Sequence, residues 1–393
     1  MTGRSPVAIQ MTRFSAPLPA EVPTFPEWLR AAGYFTGICG RSFHLDGSAN
    51  PNSAPETNEI LERHHLRTFA NRVDWLSDAP FRREGIPDLV RTYVKMVPRG
   101  RPFFLQVGLS DPHRPYDENA SATRPDPATL KLPAHFPDTA LIREDHAAYL
   151  GEIQRLDGDV GRVLDVLEEA RLAHSTVVVF VGDNGSAQLR GKGTLHEFGI
   201  RVPLIVRWPG VVKPASVAEE LISGEDLAPT FSEIAGLQVP RHVTGKSFLK
   251  RLRGELLGSR ECVFAERGAH GSSLPNSTAA FDLARVVVTP THKLIYNALP
   301  ALPYAPIDFN THPLWNDLKA RHEAGTLAAP FDRLYFPPSR SMFELYDLRN
   351  DPSELENLAG TPAHAELERK LKTRLQEWMI LERDFLPLPI PPR

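Results

Sequence analysis

Asp183 and Asn184 stand between two glycines, Gly182 and Gly185, at the end of an unbroken apolar run at residues 176–181. Their side chains offer hard oxygen donors of the kind that hold calcium or magnesium. The same residue types also suit a tight turn. The loop then carries Lys192 between Gly191 and Gly193, followed by His196, Glu197 and Arg201, before a second apolar run at 202–206. Two more apolar runs end in reactive residues. Residues 102–109 lead into Ser110-Asp111-Pro112-His113, and residues 34–39 lead into Gly40-Arg41-Ser42-Phe43-His44. If these runs are adjacent parallel strands, their carboxyl ends converge on one crevice. His113, His44, Lys192, Arg41 and an oxygen-ligated cation would then form a site for an oxyanion ester.

Elements able to position such residues are visible in the pattern. An apolar run without alternation reads as a strand covered on both faces, as in a parallel sheet. Phe25, Trp28 and Leu29 have helical spacing before Gly33, and the strand at 34–39 follows. Residues 59–76 read as one or two helices, in which the neighbours His64 and His65 face different ways and make a poor metal site. Another helix is expected at 86–97. The clearest one carries Tyr149, Ile153, Leu156, Val160, Leu164 and Leu167 on a single stripe leading to the strand at 176–181. Residues 227–235 read as a helix ended by Gly236. After about residue 255 short strands follow at 262–266, 284–289, 293–297 and 343–347, joined by turn-rich segments that favour an antiparallel sheet. A helix at 362–385 closes the chain, with Leu367, Leu371, Leu375 and Trp378 on its apolar face. The expected fold class is therefore α/β, with a larger domain at 1–254 and a smaller α+β subdomain at 255–393.

Bulk composition narrows the partners. The 393 residues carry 45 Lys and Arg against 48 Asp and Glu, which gives no reason to expect nucleic acid or an anionic membrane as partner. No apolar run approaches the length of a membrane span. The 37 prolines predict long, stiff loops, where specificity tends to reside. Cys39 and Cys262 belong to no C-x-x-C pair and read as buried free thiols. Residues 1–14 hold no long apolar core of an export signal, and cellular location stays open.

Taken together, several motifs resemble the type I sulfatase family, whose members share the alkaline phosphatase-like fold. They are Gly182-Asp183-Asn184-Gly185, Gly191-Lys192-Gly193 and Glu197-x-Gly199-x-Arg201-Val202-Pro203. Further similarity lies in Leu156-Asp157-Gly158-Asp159-Val160-Gly161-Arg162, in Ser110-Asp111-Pro112-His113-Arg114-Pro115, and in Leu345-Tyr346-Asp347-Leu348 with Asp351-Pro352 and Asn357-Leu358. The resemblance implies that Asp183 and Asn184 ligate calcium. It implies that Lys192 and His113 bind the sulfate group, with His113 protonating the leaving alcohol or amine. His44 matches the histidine that helps a hydrated formylglycine expel sulfate. Arg41 stands nearest the family's Gly-Lys-x-His lysine, with one extra residue before His44. The implied substrate is a small-molecule or carbohydrate sulfate ester or sulfamate.

The family nucleophile is a cysteine or serine in C-x-P-S-R or S-x-P-S-R, the cysteine being converted to formylglycine. Neither Cys39 nor Cys262 stands in that frame. Met1-Thr2-Gly3-Arg4 resembles the Leu-Thr-Gly-Arg segment that follows the nucleophile, so the expectation is that the nucleophile and the first acidic metal pair lie upstream. On that reading these residues alone turn over no sulfate ester, and the calcium ligand set is incomplete. Two alternatives are a non-catalytic relative that binds sulfated ligands and a phosphate or phosphonate monoester hydrolase of the same superfamily.

Overall fold

A computed structural model of the chain describes residues 1–11, 13, 17–41, 55–66, 69–78, 83–270 and 276–390. In chain order the elements are α1 (Phe25–Ala31), β1 (Phe35–Gly40), α2 (Pro55–Arg63), β2 (Trp75–Asp78), α3 (Ile86–Met96), β3 (Phe103–Gly108) and α4 (Ala140–Glu169). Next come β4 (Val178–Val181), α5 (Glu197–Ile200), β5 (Leu204–Arg207), α6 (Leu227–Ile234), α7 (Leu249–Leu252) and β6 (Val263–Ala269). The last are β7 (Phe281–Val288), β8 (His292–Asn297), α8 (Pro313–Glu323), α9 (Ala329–Tyr335), β9 (Phe343–Asp347) and α10 (Ala365–Leu381). They gather into two compact units. One comprises Met1–Asp111, Leu156–Val179 and Val206–Ser259, and the other Pro112–Arg155, Phe180–Ile205 and Arg260–Arg393.

In the first unit β1 lies between β2 and β3, and all three run parallel. Parallel strands need crossovers, and α3 carries the chain from β2 past β1 to β3. Tyr93 of α3 is fully buried and donates its hydroxyl to the carbonyls of Phe35 (2.6 Å) and Phe104 (2.8 Å). Its ring fills the space over Gly37, where a Cβ would approach to 2.3 Å, so a glycine in β1 lets the helix seat closely. At the start of α1, Glu27 accepts from both Thr24 N and Thr24 Oγ1 at 2.8 Å, closing the first turn. Phe25 and Leu29 then pack with Ala228, Phe104 and Phe231.

The helical reading of residues 59–76 needs correction. α2 stops at Arg63, and Trp75–Asp78 is a strand. Asp74 accepts from Thr36 N at 2.8 Å and from Thr36 Oγ1 at 3.1 Å, pinning the segment in an extended form beside β1. A tertiary partner overrides local preference there.

The second unit is built on an antiparallel sheet in the order β6-β7-β8-β9. Val287, Leu294, Tyr296 and Leu345 face Leu371, Leu375, Trp378 and Met379 of α10. On the opposite face Ala284, Val286, Ile295 and Tyr346 meet Leu195 and, at the edge, Ile200. Period-two alternation thus supplies two buried faces, and the loop carrying Lys192 lies on one of them. Lys293 of β8, fully buried, binds Glu197 (2.8 Å) and Glu354 (2.9 Å), while Glu354 also accepts from Glu197 N at 2.7 Å. That triad fastens the end of the Lys192 loop to the sheet.

The expectation that turn-rich segments alone join the strands after residue 255 is also corrected, because α8 and α9 stand between β8 and β9. His312 caps α8 by accepting from Leu314 N at 3.3 Å, and Pro313 suits the first turn. Leu314, Trp315, Leu318 and Tyr335 pack with Phe136, Ile142, Leu189 and Phe309. The surrounding prolines mask this helical spacing in the sequence.

Candidate functional site

Both glycines flanking Lys192 are required by geometry. A Cβ on Gly191 would meet the Ser186 carbonyl oxygen at 2.0 Å. Gly193 has φ +80°, and a Cβ there would meet Ile307 Cδ1 at 2.0 Å. The turn is closed by Lys192 N donating to Ser186 O at 2.7 Å and Gly191 N donating to Gln188 O at 2.9 Å. It projects the Lys192 ammonium toward His113, with Nζ 3.3 Å from Nε2.

His113 is placed by the residue after it. Arg114 is 8% exposed and pairs in bidentate fashion with Asp145 of α4 at 2.7 and 2.6 Å. Its Nε donates to Ala187 O at 2.7 Å, and its guanidinium lies 4.1 Å from the Tyr116 ring and 4.4 Å from the Phe309 ring. One side chain therefore ties the His113 segment to α4, to the Lys192 loop and to Phe309. His113 Nδ1 sits 2.6 Å from the Arg114 carbonyl oxygen and must donate a hydrogen to it, which leaves Nε2 as the nitrogen facing Lys192.

Asp308 completes the cluster and was missed in the sequence. Its Oδ2 is 2.6 Å from Lys192 Nζ and 3.7 Å from His113 Nε2, and its Oδ1 is 3.8 Å from His270 Nε2. Burial alone would push this carboxyl upward. The contact with His270 and the charge of Lys192 outweigh it and hold Asp308 well below the ordinary carboxylate range. An Asp beside Ile307 and Phe309 in a proline-rich stretch carries no motif, so only the neighbouring charges reveal it.

Asp183 and Asn184 are exposed at the end of β4. Asp183 Oδ1 accepts from Asn184 N at 2.9 Å, and Asn184 Nδ2 donates to Gly185 O at 2.7 Å. That leaves Asp183 Oδ2 and Asn184 Oδ1 as two adjacent hard donors, of the right chemistry for calcium. Calcium takes six to eight oxygens, and among the described residues no cluster of three or more His, Cys, Asp or Glu forms a metal site. These two residues fit a calcium ion as part of a ligand set only.

Arg41 follows β1 in the first unit, where its N donates to Gly108 O at 3.2 Å at the paired ends of β1 and β3. His44 lies outside the described residues. Cys39 is fully buried as read, and burial pushes its thiol up to about 12, far from a neutral-pH nucleophile. Cys262 is only half-buried, a correction to that reading.

The Lys192 loop is backed by three histidines whose charged forms are disfavoured. Burial, then the nearby Arg190 charge, lower His135 from 6.5 to about 3. His196 is lowered by the same two causes, and His146 by burial. Unfolding frees His135 to take up a proton between pH 6.5 and about 3, so its stabilising share is complete above that window and is lost as pH falls through it. Unfolding free energies from urea titrations between pH 7 and 4 should fall with a slope of up to about 1.4 kcal/mol per pH unit on account of His135. A His135→Phe variant should show a shallower slope, and an unchanged slope would exclude this origin.

The loop after β4 thus brings a lysine, a histidine and a carboxylate into contact. The sulfatase family model matches residues 1–237, and the chain belongs to the sulfatase family. It is 31% identical to human N-sulphoglucosamine sulphohydrolase over 312 residues, covering 71% of this chain and 60% of that protein. The chain spans 42% and 58% of two further curated relatives, both ulvan-active sulfatases of Formosa agariphila. Among solved structures, one determined in complex with its substrate D-glucosamine-2-N,6-O-disulfate superimposes with a TM-score of 0.68 at 16% identity, over 100% of this chain and 88% of that one. A phosphonate monoester hydrolase from Silicibacter pomeroyi gives 0.62 at 19% identity, over 98% and 85%. These last two likenesses define the alkaline phosphatase-like fold.

Proposed function

We propose that this chain supplies the sulfate-binding and proton-donating residues of a hydrolase acting on sulfate esters or sulfamates of carbohydrates. The observation that carries the proposal is the contact of Lys192 Nζ with His113 Nε2, both beside Asp308. Lys192 hydrogen-bonds a sulfate oxygen. His113 gives its Nε2 proton to the bridging oxygen or nitrogen as the bond to sulfur breaks, so the alcohol or amine leaves neutral. With His113 protonated, Lys192, His113 and Asp308 carry one positive charge in net.

The carbohydrate assignment is supported by the sugar-directed activity named for the human relative. A cavity of about 670 Å³ beside Lys192, lined by polar groups such as Arg267, Asn297 and Arg340 and by apolar ones such as Leu195, Ile295 and Leu334, has room for such a ligand. Asp183 and Asn184 would hold calcium as part of its ligand set, and the ion would supply positive charge for sulfate oxygens. No attacking group is assigned to a residue described here. Arg41 and His44 are proposed, as the family resemblance implies, for sulfate contact and for sulfate release.

The test is to compare inorganic sulfate and phosphate release from N-sulfoglucosamine, glucosamine 6-sulfate and glucosamine 6-phosphate by the complete gene product. Sulfate release from the sugar sulfates is expected. Phosphate release outpacing it would favour the phosphate or phosphonate hydrolase reading instead.

A further inference from the structure

Asp308 is out of place in a pocket meant for an anion. A carboxylate held ionised repels sulfate, so it is not there as a ligand. Its position is nonetheless tightly determined. Asp308 takes φ 68°, a left-handed conformation that non-glycine residues seldom adopt. Its neighbours fix it there. Ile307, 3% exposed, fills the space left open by Gly193, and Phe309, 2% exposed, stacks on the Arg114 guanidinium. Gly193 adjoins Lys192, and Arg114 adjoins His113. The contacts that seat Asp308 are thus the contacts that seat the two groups it serves.

We propose that Asp308 is the positioning residue of this site, holding the Lys192 ammonium in place and keeping His113 as an imidazolium whose Nε2 hydrogen is the proton to be donated. The inference rests on the reading of His113 as the acid. Among the described residues, the charged and titratable groups that the structure records around that imidazole are Lys192 from the loop after β4, Asp308 from the segment before α8, and His270 beyond β6 across the same carboxylate. On its own segment the Arg114 carbonyl holds Nδ1–H, and the Arg114 guanidinium is engaged by Asp145. Lys192 opposes the charged imidazole and Asp308 favours it, so removing them should move His113 in opposite directions.

The measurement is a ring titration of His113 by NMR in the full 393-residue chain, assigned by loss of its signal in His113→Gln. In Asp308→Asn the His113 pKa should fall by about 1 to 3 pH units, and in Lys192→Met it should rise by about 1 or more. An unmoved His113 in a folded Asp308→Asn protein would overturn the proposal, because a merely structural ion pair alters stability and not the titration. If Asp308→Asn does not fold, Lys192→Met decides: an unchanged or lowered His113 pKa overturns it equally. Sulfate release does not enter this readout. Failure of the sulfatase reading therefore shows as missing turnover with the titrations intact, and failure of the Asp308 role shows as titrations that do not move.

Discussion

Replacing His113 by alanine in the complete gene product is expected to lower kcat for a sugar sulfate by about 10²- to 10⁴-fold, the usual worth of a general acid. The loss should be far smaller for 4-nitrophenyl sulfate. A sugar alkoxide is a strong base and departs poorly unless protonated, whereas nitrophenolate leaves without help. The geometry supplies the reason for choosing His113. Nδ1 is committed to the Arg114 carbonyl at 2.6 Å, so the proton available to a substrate sits on Nε2, beside Lys192. Activity toward the sugar sulfate should fall on the alkaline side as that proton is lost, and the fall should vanish in His113→Ala. Equal losses for both substrates would make His113 a binding group. Unchanged turnover of the sugar sulfate would remove it from the mechanism.

Much of this site was legible because its residues are constrained by the chain next to them. Lys192 between two glycines could be read as a loop shaped around one side chain, and both glycines are indeed crowded by Ser186 and Ile307. The strand at 102–109 ending near His113 was legible for a similar reason, since an unalternating apolar run admits few readings. Asp308 was not legible. Its role arises from a contact with a lysine 116 positions earlier in the chain, and nothing in its local sequence marks it. Arg114 was quoted only as part of a motif, though it is the anchor. Whether an arginine is buried against a carboxylate or solvated depends on Asp145 in α4, which local pattern does not reveal. The same limit explains β2, created by the bond between Asp74 and Thr36, and α8, whose apolar spacing is hidden among prolines. Strands β1 and β3 and the antiparallel C-terminal sheet needed no such distant partner to be read.

Arg114 gives the largest expected loss of stability near the site. Arg114→Met should reduce the unfolding free energy by about 3–5 kcal/mol, the range seen when one partner of a buried ion pair is removed. The Asp145 side chain, 8% exposed, would be left without its bidentate partner, and the Ala187 carbonyl would lose a donor. Contacts with the Tyr116 and Phe309 rings would weaken as well. For a domain with a total stability of about 5–15 kcal/mol, this is enough to require expression at reduced temperature. Urea unfolding checks the size of the effect, and a double-mutant cycle checks its cause. Arg114→Met combined with Asp145→Leu should cost less than the sum of the single changes, because the second removes the carboxylate stranded by the first. Additive costs, or a loss under about 1 kcal/mol for Arg114→Met, would mean that the pair does not anchor the His113 segment. In that case the placement of His113 beside Lys192 would have to come from the backbone of residues 109–116 alone.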